Sequence, residues 1–239
     1  MDKVEIVVSR YEEDLSWLNE EPFNKYAVCI YNKGGDMPFL GLKQPHKIIQ
    51  ISNLGNCDYT YLYHIVNNYD NNGMADITVF LPGSLDVFDY KKNKARKLIH
   101  RMEASAFDKS VFIFEEECRD VREKYANFTI THWGSRHPKN IEKNVKMHNE
   151  KYNILTPCEK RPFGNWYAHH FNGENANYVS LWGEFIIKRA QIKTRSREFY
   201  ESFLEEVCIS YNPEVGHYLE RAWQAVFGLT HENSVIVRS

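Results

Sequence analysis

KVEIVVSRYEEDLSWL, residues 3–18, opens with an apolar run at Val4, Ile6, Val7 and Val8, breaks into charge, and resumes at Leu15. A run that short and β-branched, closed by polar residues, reads as a strand buried on both faces, then a loop, then a helix start. The logic repeats downstream. YAVCIYNKG (26–34) ends in an Asn-Lys-Gly turn signal, HKIIQIS (46–52) runs into NLGN, and ADITVFLPG (75–83) follows an Asn/Gly turn at 71–73. Between the last two, DYTYLYHIVNNYD (58–70) carries Leu62, Ile65, Val66 and Tyr69 at helical spacing. Strands alternating with helices predict a single three-layer α/β/α domain around a mostly parallel central sheet, with its loops gathered at the strand carboxyl ends.

Beyond residue 90 the pattern turns helical and charged. KKNKARKLIHRMEASAF and EEECRDVREKY are expected as helices on either side of KSVFIF. VSLWGEFIIKR (179–189) reads as a strand, SREFYESFLEEVC as an amphipathic helix, and GHYLERAWQAVFG as the last helix. The stretch 128–178 is irregular and rich in His, Trp, Asn, Pro and Gly, and a loop that long points to binding.

Composition narrows the function classes. A net charge of -2 gives no field that would draw nucleic acid or an anionic membrane to a whole face, so neither partner is expected. No apolar run reaches the roughly 20 residues of a membrane span. The 15 Tyr and 14 Phe are a heavy aromatic load, of the kind that lines sugar- and base-stacking clefts. Five cysteines, odd in number and without a CxxC pair, read as reduced thiols of a cytoplasmic protein, and the first thirty residues do not resemble a signal peptide.

Four strand ends collect polar residues: Arg10, Tyr11 and Asp14; Asn32, Lys33 and Gly34; Asn53, Gly55 and Asp58; then Pro82, Gly83, Ser84 and Asp86. Ligands of open α/β sheets bind outside the strand carboxyl ends, which makes these positions donor- or nucleotide-binding candidates. Gly, Asn and Asp also serve as turn formers and caps, whereas Arg10 and Lys33 are not capping residues. Missing are GxGxxG after the first strand, GxxxxGK[ST], GxSxG and HExxH, which argues against a dinucleotide fold, a P-loop, an α/β-hydrolase elbow and a zincin. His132 with His137, and His169 with His170, lack zinc-site spacing, and His64 reads as a core histidine. RPFGNWYAHHF (161–171) places Arg161, Trp166, His169 and His170 together as a candidate sugar platform, joined by Trp182; a loop packed by its own aromatics is the alternative.

On the last helix His217, Glu220 and Arg221 stand at i, i+3 and i+4 with Gln224 continuing the face, while apolar side chains cover the rest. A helix so enclosed must lie largely buried, and its charged stripe must then find partners or line a wet site.

VVSRYEEDLSWL, YNKG, NLGNCDYTYLYHIVNNYD with DITVFLPG, and FYESFL with GHYLERAWQAVF together resemble, over nearly the whole chain and in order, an uncharacterised family of bacteria, fungi and large DNA viruses. This chain departs from that pattern at NLGNCDYTYL, with Asn56 and Asp58 in place of Arg and Glu or similar, and at LPGS. More distantly the arrangement is similar to GT-A-fold (Rossmann-like) glycosyltransferases. That resemblance implies a nucleotide-binding half over 1–90 and an acceptor-side half over 91–239. By position, VFLPGSLDVFD falls where such enzymes bind Mn2+ or Mg2+, with Asp86 and Asp89 as ligands, although it is no DxD motif. The implied reaction moves a sugar from a nucleotide-sugar to a hydroxyl on a glycan or small-molecule acceptor. Arg10, Lys33 and Arg221 would meet phosphate charge, and Glu220 or His217 would take the acceptor proton. A non-catalytic carbohydrate or nucleotide binder, and a hydrolase using His and carboxylates, are the rival expectations.

Overall fold

The computed structural model describes residues 3–35, 41–70, 73–134 and 154–239. Nine strands fall in it: β1 (Val4–Arg10), β2 (Ala27–Asn32), β3 (His46–Gln50), β4 (Ile77–Pro82), β5 (Ser110–Phe114), β6 (Glu116–Glu117), β7 (Tyr178–Val179), β8 (Phe185–Lys188) and β9 (Ser234–Arg238). Seven form one sheet in the order β3-β2-β1-β4-β8-β5-β9, and β6 pairs with β7 in a small ribbon. Every ladder of the large sheet is parallel except those of β8, which runs antiparallel to both β4 and β5.

The apolar runs that announced the strands are continuous because both faces are covered. On β1, Ile6 and Val8 face one core while Val7 faces the other. The first core is mostly aliphatic and is closed by α2 (Asp89–Ala104) and the 3-10 turns around Trp17 and Phe23. The second is aromatic. It is closed by α1 (Asn56–Asn68), α4 (Phe163–Phe171), α6 (Arg197–Val207) and α7 (Glu214–Val226); Trp166 packs on Phe203 at 5.7 Å, and Trp223 joins the same core against Phe185 and Phe227. Two short helices, α3 (Val121–Lys124) and α5 (Arg189–Ile192), are the others among the described residues. The three-layer α/β architecture with a mostly parallel sheet is therefore as expected.

Local chemistry explains several boundaries. Ser196 accepts the Phe199 amide and starts α6; Asp120 accepts the Arg122 amide at 2.7 Å and starts α3. β3, with His46 and Lys47 exposed on it, is a polar edge strand.

Four expectations need correction. DLSWL forms only a 3-10 turn (Ser16–Asn19). EEECRDVREKY is a strand stub plus the single turn of α3, because Asp120 caps a new start within it. VSLWGEFIIKR is interrupted between β7 and β8, where Trp182 and Gly183 take φ of 69° and 66° and turn the chain. RPFGNWYAHHF is helical from Phe163: Phe163, Trp166, Tyr167 and Phe171 repeat at helical spacing and are buried. Of the irregular region 128–178, residues 135–153, His137 among them, lie outside the described residues. All five cysteines are free thiols, and among the described residues no helix is long and apolar enough to cross a membrane.

Candidate functional site

The sheet order reverses between β1 and β4, and a crevice at their carboxyl ends is where an open α/β sheet takes ligands. Antiparallel β8 brings its amino end to the same edge, since Phe185 pairs with Phe80 of β4. Three segments therefore meet there: the first turn of α1, the turn at 180–184, and the middle of α7.

From α1 comes Asp58, buried, with Oδ1 lacking a hydrogen-bond partner. Gly216 on α7 leaves the room it needs, for a Cβ there would stand 3.0 Å from Asp58 Oδ2. Burial pushes the Asp58 carboxyl well above the ordinary range, and the Glu220 charge pushes it further. From α7 comes Glu220, whose Oε2 lies 3.2 Å from His217 Nδ1 and whose Oε1 accepts the Trp182 amide at 3.4 Å. Burial works on Glu220 too, but the His217 contact and the Arg221 charge hold its carboxyl below the usual value. Two neighbouring carboxyls are thus driven apart in proton affinity, the arrangement that assigns one as acid and one as base.

The turn at 180–184 is tied in place from beneath. Lys94 Nζ donates to Ser180 Oγ and to the Leu181 carbonyl, both at 3.0 Å, and pairs with Glu115 at 2.8 Å. Glu115 accepts the Leu181 amide, and the Tyr61 hydroxyl donates to the Gly183 carbonyl at 2.9 Å. Glu184 follows at 0% exposure with neither carboxylate oxygen hydrogen-bonded. Its carboxyl is raised by burial against the pull of Lys94 and Lys91, and burial lowers the Lys91 ammonium in turn. The cluster reaches solvent through Glu220, whose side chain is 22% exposed, and through a ledge of rings. Tyr90 packs 4.8 Å from Trp182 and stacks on Phe88, while Trp133 meets His217 edge-on at 5.2 Å.

Other sequence candidates are placed elsewhere or used differently. Arg10 is 1% exposed and braces the loop after β1, donating to the Tyr11 and Glu13 carbonyls and to Asn32 Oδ1. Lys33 Nζ donates to the Leu54 carbonyl at 2.7 Å and to that of Asn56, and burial lowers it to about 8. Capping carbonyls is thus the work of both cations. Tyr11 lies in the braced loop, Asp14 accepts the Ser16 amide, and Asn53 precedes Gly55. Gly55 takes φ of 51° at the α1 N-cap, with Val207 O only 2.5 Å from where a Cβ would stand.

Arg221 turns away from the cluster: its guanidinium stacks 3.9 Å over the Phe128 ring and donates to the His217 carbonyl. Gln224 accepts the Asn177 and Tyr178 amides and so clamps β7. The α7 stripe is part site, part brace. Asp86 is exposed and paired with Lys92 at 2.7 Å, and Asp89 is exposed in the first turn of α2; neither belongs to a three-ligand cluster among the described residues.

The expected sugar platform does not assemble. Trp166 is wholly buried and donates to Glu206, Arg161 is held by Glu214, and His169 points outward from α4. Helical periodicity sends the Trp166 ring into the core and the His169 ring to the surface, and of the four only Trp182 lies beside the cluster. No motif in the sequence singles out Glu184, Lys91, Lys94 or Tyr90. Lys91 and Lys94 sit in a lysine-rich run that reads as a solvated helix face, and only burial marks them out.

No curated protein matches the chain. Among solved structures, CMP:2-keto-3-deoxy-manno-octonic acid synthetase complexed with CTP superposes with a TM-score of 0.37 at 9% identity, over 99% of this chain and 90% of that one. That distant likeness assigns no residue of this chain a role. Residues 6–236 match the family described as "Protein of unknown function (DUF3431)", and with all but the chain ends covered, this protein belongs to that family.

Proposed function

We propose that the strand-end cluster is a glycosyl-transfer site using a nucleotide-sugar donor. The observation that carries the reading is the convergence of Asp58 and Glu220, with opposed proton affinities, beside the half-exposed Trp182–Tyr90 ledge at the carboxyl ends of β1 and β4. Glu220, oriented by His217, takes the proton from the acceptor hydroxyl. Trp182 and Tyr90 offer a ring face for the sugar or base. Lys91 supplies the positive charge that a departing nucleoside diphosphate requires. In a metal-assisted form of the same reaction, Mn2+ or Mg2+ on Asp86 and Asp89 would share that task, and activity would then fall with EDTA.

Calorimetry or thermal shift against UDP-, GDP- and dTDP-sugars, with and without manganese, tests the reading. Stabilisation by one donor supports it; a well-folded sample that responds to none overturns it. A hydrolase is the second reading, favoured by the same carboxyl pair, since glycoside hydrolysis also uses one protonated and one ionised carboxyl. It predicts substrate loss without any acceptor. A non-catalytic binder would take the donor and release no nucleoside diphosphate.

A further inference from the structure

At the opposite end of β1 from the cluster, three donors of different chemistry meet inside the protein. Glu5 of β1, Cys29 of β2 and His64 of α1 are 5%, 0% and 0% exposed, and one ligand atom from each lies within 4.8 Å of the others. Asp58 and His64 are six residues apart on α1, about 9 Å at helix rise, so this is a separate place from the strand-end cluster.

The three groups are not satisfied by one another. Glu5 Oε1 is drawn to Lys47 Nζ at 3.3 Å, while Oε2 is buried without a partner. The His64 ring shares Nδ1 with the Tyr31 hydroxyl at 3.1 Å, and its Nε2 is also buried without a partner. Leaving a buried polar atom unmade costs about 1–3 kcal/mol, and two such atoms beside a thiol in a core otherwise packed with rings call for an occupant.

We propose that Glu5, Cys29 and His64 bind one zinc-like transition-metal dication that fastens α1 to the sheet. Thiolate, imidazole and carboxylate are the donor set of zinc, with bonds of about 2.0–2.3 Å. Those bonds set tetrahedral edges near 3.5 Å, so the donors need close by only about 1 Å. Binding replaces the Cys29 S–H bond with an S–metal bond and releases one proton to solvent. The charges then balance, since one thiolate and one carboxylate neutralise a dication where an isolated buried charge would be costly. The Tyr31 hydroxyl, 3.1 Å from His64 Nδ1, orients the imidazole as an outer-sphere partner does. Lys47, half exposed on edge strand β3, is free to swing into solvent as the metal takes over Glu5. No sequence spacing advertises the site, because its ligands lie on three separate elements.

The test uses the full chain, expressed with zinc supplementation. Plasma mass spectrometry should find close to one zinc per chain, and stripping with a strong chelator should lower the melting temperature, with zinc restoring it. Cobalt loaded into the stripped protein should show a thiolate-to-cobalt absorption band that Cys29→Ser abolishes and Cys158→Ser leaves intact; His64→Gln should reduce the metal content. If the buried variants do not fold, zinc-edge X-ray absorption of the wild-type chain decides, and one sulfur with one imidazole is the expected shell. A folded wild-type chain that takes up neither zinc nor cobalt, or whose metal shell contains no sulfur, overturns the proposal.

Discussion

His217 Nδ1 and Glu220 Oε2 stand 3.2 Å apart, one turn from each other on α7, in a helix that is otherwise almost wholly enclosed. The contact fixes the carboxylate and helps keep it ionised despite burial. Glu220→Gln keeps the shape and removes the base. Turnover of the responsive nucleotide-sugar should fall about 10²–10⁴-fold, the usual range for a lost general base, with the melting temperature nearly unchanged. Unfolding of the variant instead would make Glu220 a structural ion-pair member.

Asp58 should cost stability at neutral pH. Its folded carboxyl holds its proton more tightly than the unfolded one, whose ordinary value is 3.8. The stabilising contribution is therefore complete below that value and is lost as pH rises through the raised folded value. Asp58→Asn should gain about 0.5–2 kcal/mol at pH 7, the size common for relieving a functional site of a strained group. Melting curves from acid to neutral pH should show wild type and variant diverging as pH rises; a constant difference would count against the raised carboxyl.

Glu206 behaves in the opposite sense. Burial works against its carboxylate, but His170, Lys160 and Trp166 together hold it down to about 2. Stability from this group is present above 4.5 and is lost as pH falls from there towards 2. The amount is up to about 2 kcal/mol once screening at the partly exposed Lys160 is allowed for. Glu206→Gln should flatten acid unfolding in that window, as read by urea titrations at stepped pH.

Gly183→Ala should be among the most damaging single-methyl changes in the protein. Its Cβ would stand 2.9 Å from Cys57 Sγ and 3.2 Å from the Tyr61 ring, on a backbone at φ of 66°. Left-handed strain of about 1–2 kcal/mol and overpacking of about 1–3 kcal/mol should combine to a loss of about 2–5 kcal/mol, measured by chemical denaturation. A neutral result would mean that the 180–184 turn yields easily and does not hold the cluster.

The legible part of this molecule was its first half. Strands β1, β2 and β4 are mostly apolar runs ended by turn residues, and a doubly covered sheet can hardly be written otherwise. The short β6, β7 and β8 carry too few residues for any period to show. α4 was written in its aromatics at 163, 166, 167 and 171, but Pro162 and Gly164 beside them imitate a loop. In the cluster, His217, Glu220 and Asp58 could be found because helical spacing and a strand-end position single them out. Glu184 and Lys91 could not, because burial and mutual proximity are what make them unusual, and neither is a property of local sequence. Arg10 and Lys33 stand out in the sequence by their charge, and the structure turns both onto backbone carbonyls, since a long cation can cap a loop as well as any Asn.

The place of β8 also bears on how the chain finds its structure. β4 and β5 are complete by residue 114, yet the strand that belongs between them begins at Phe185. Those earlier strands must leave a vacant lane of backbone donors and acceptors until the later strand arrives, and pairing directly with each other would be a dead end. Contacts of such long sequence separation slow folding, and the 180–184 turn is set only when β8 enters. Assembly of the strand-end cluster is thus a reporter of completed folding, and a nascent chain that has made everything up to α2 still lacks it.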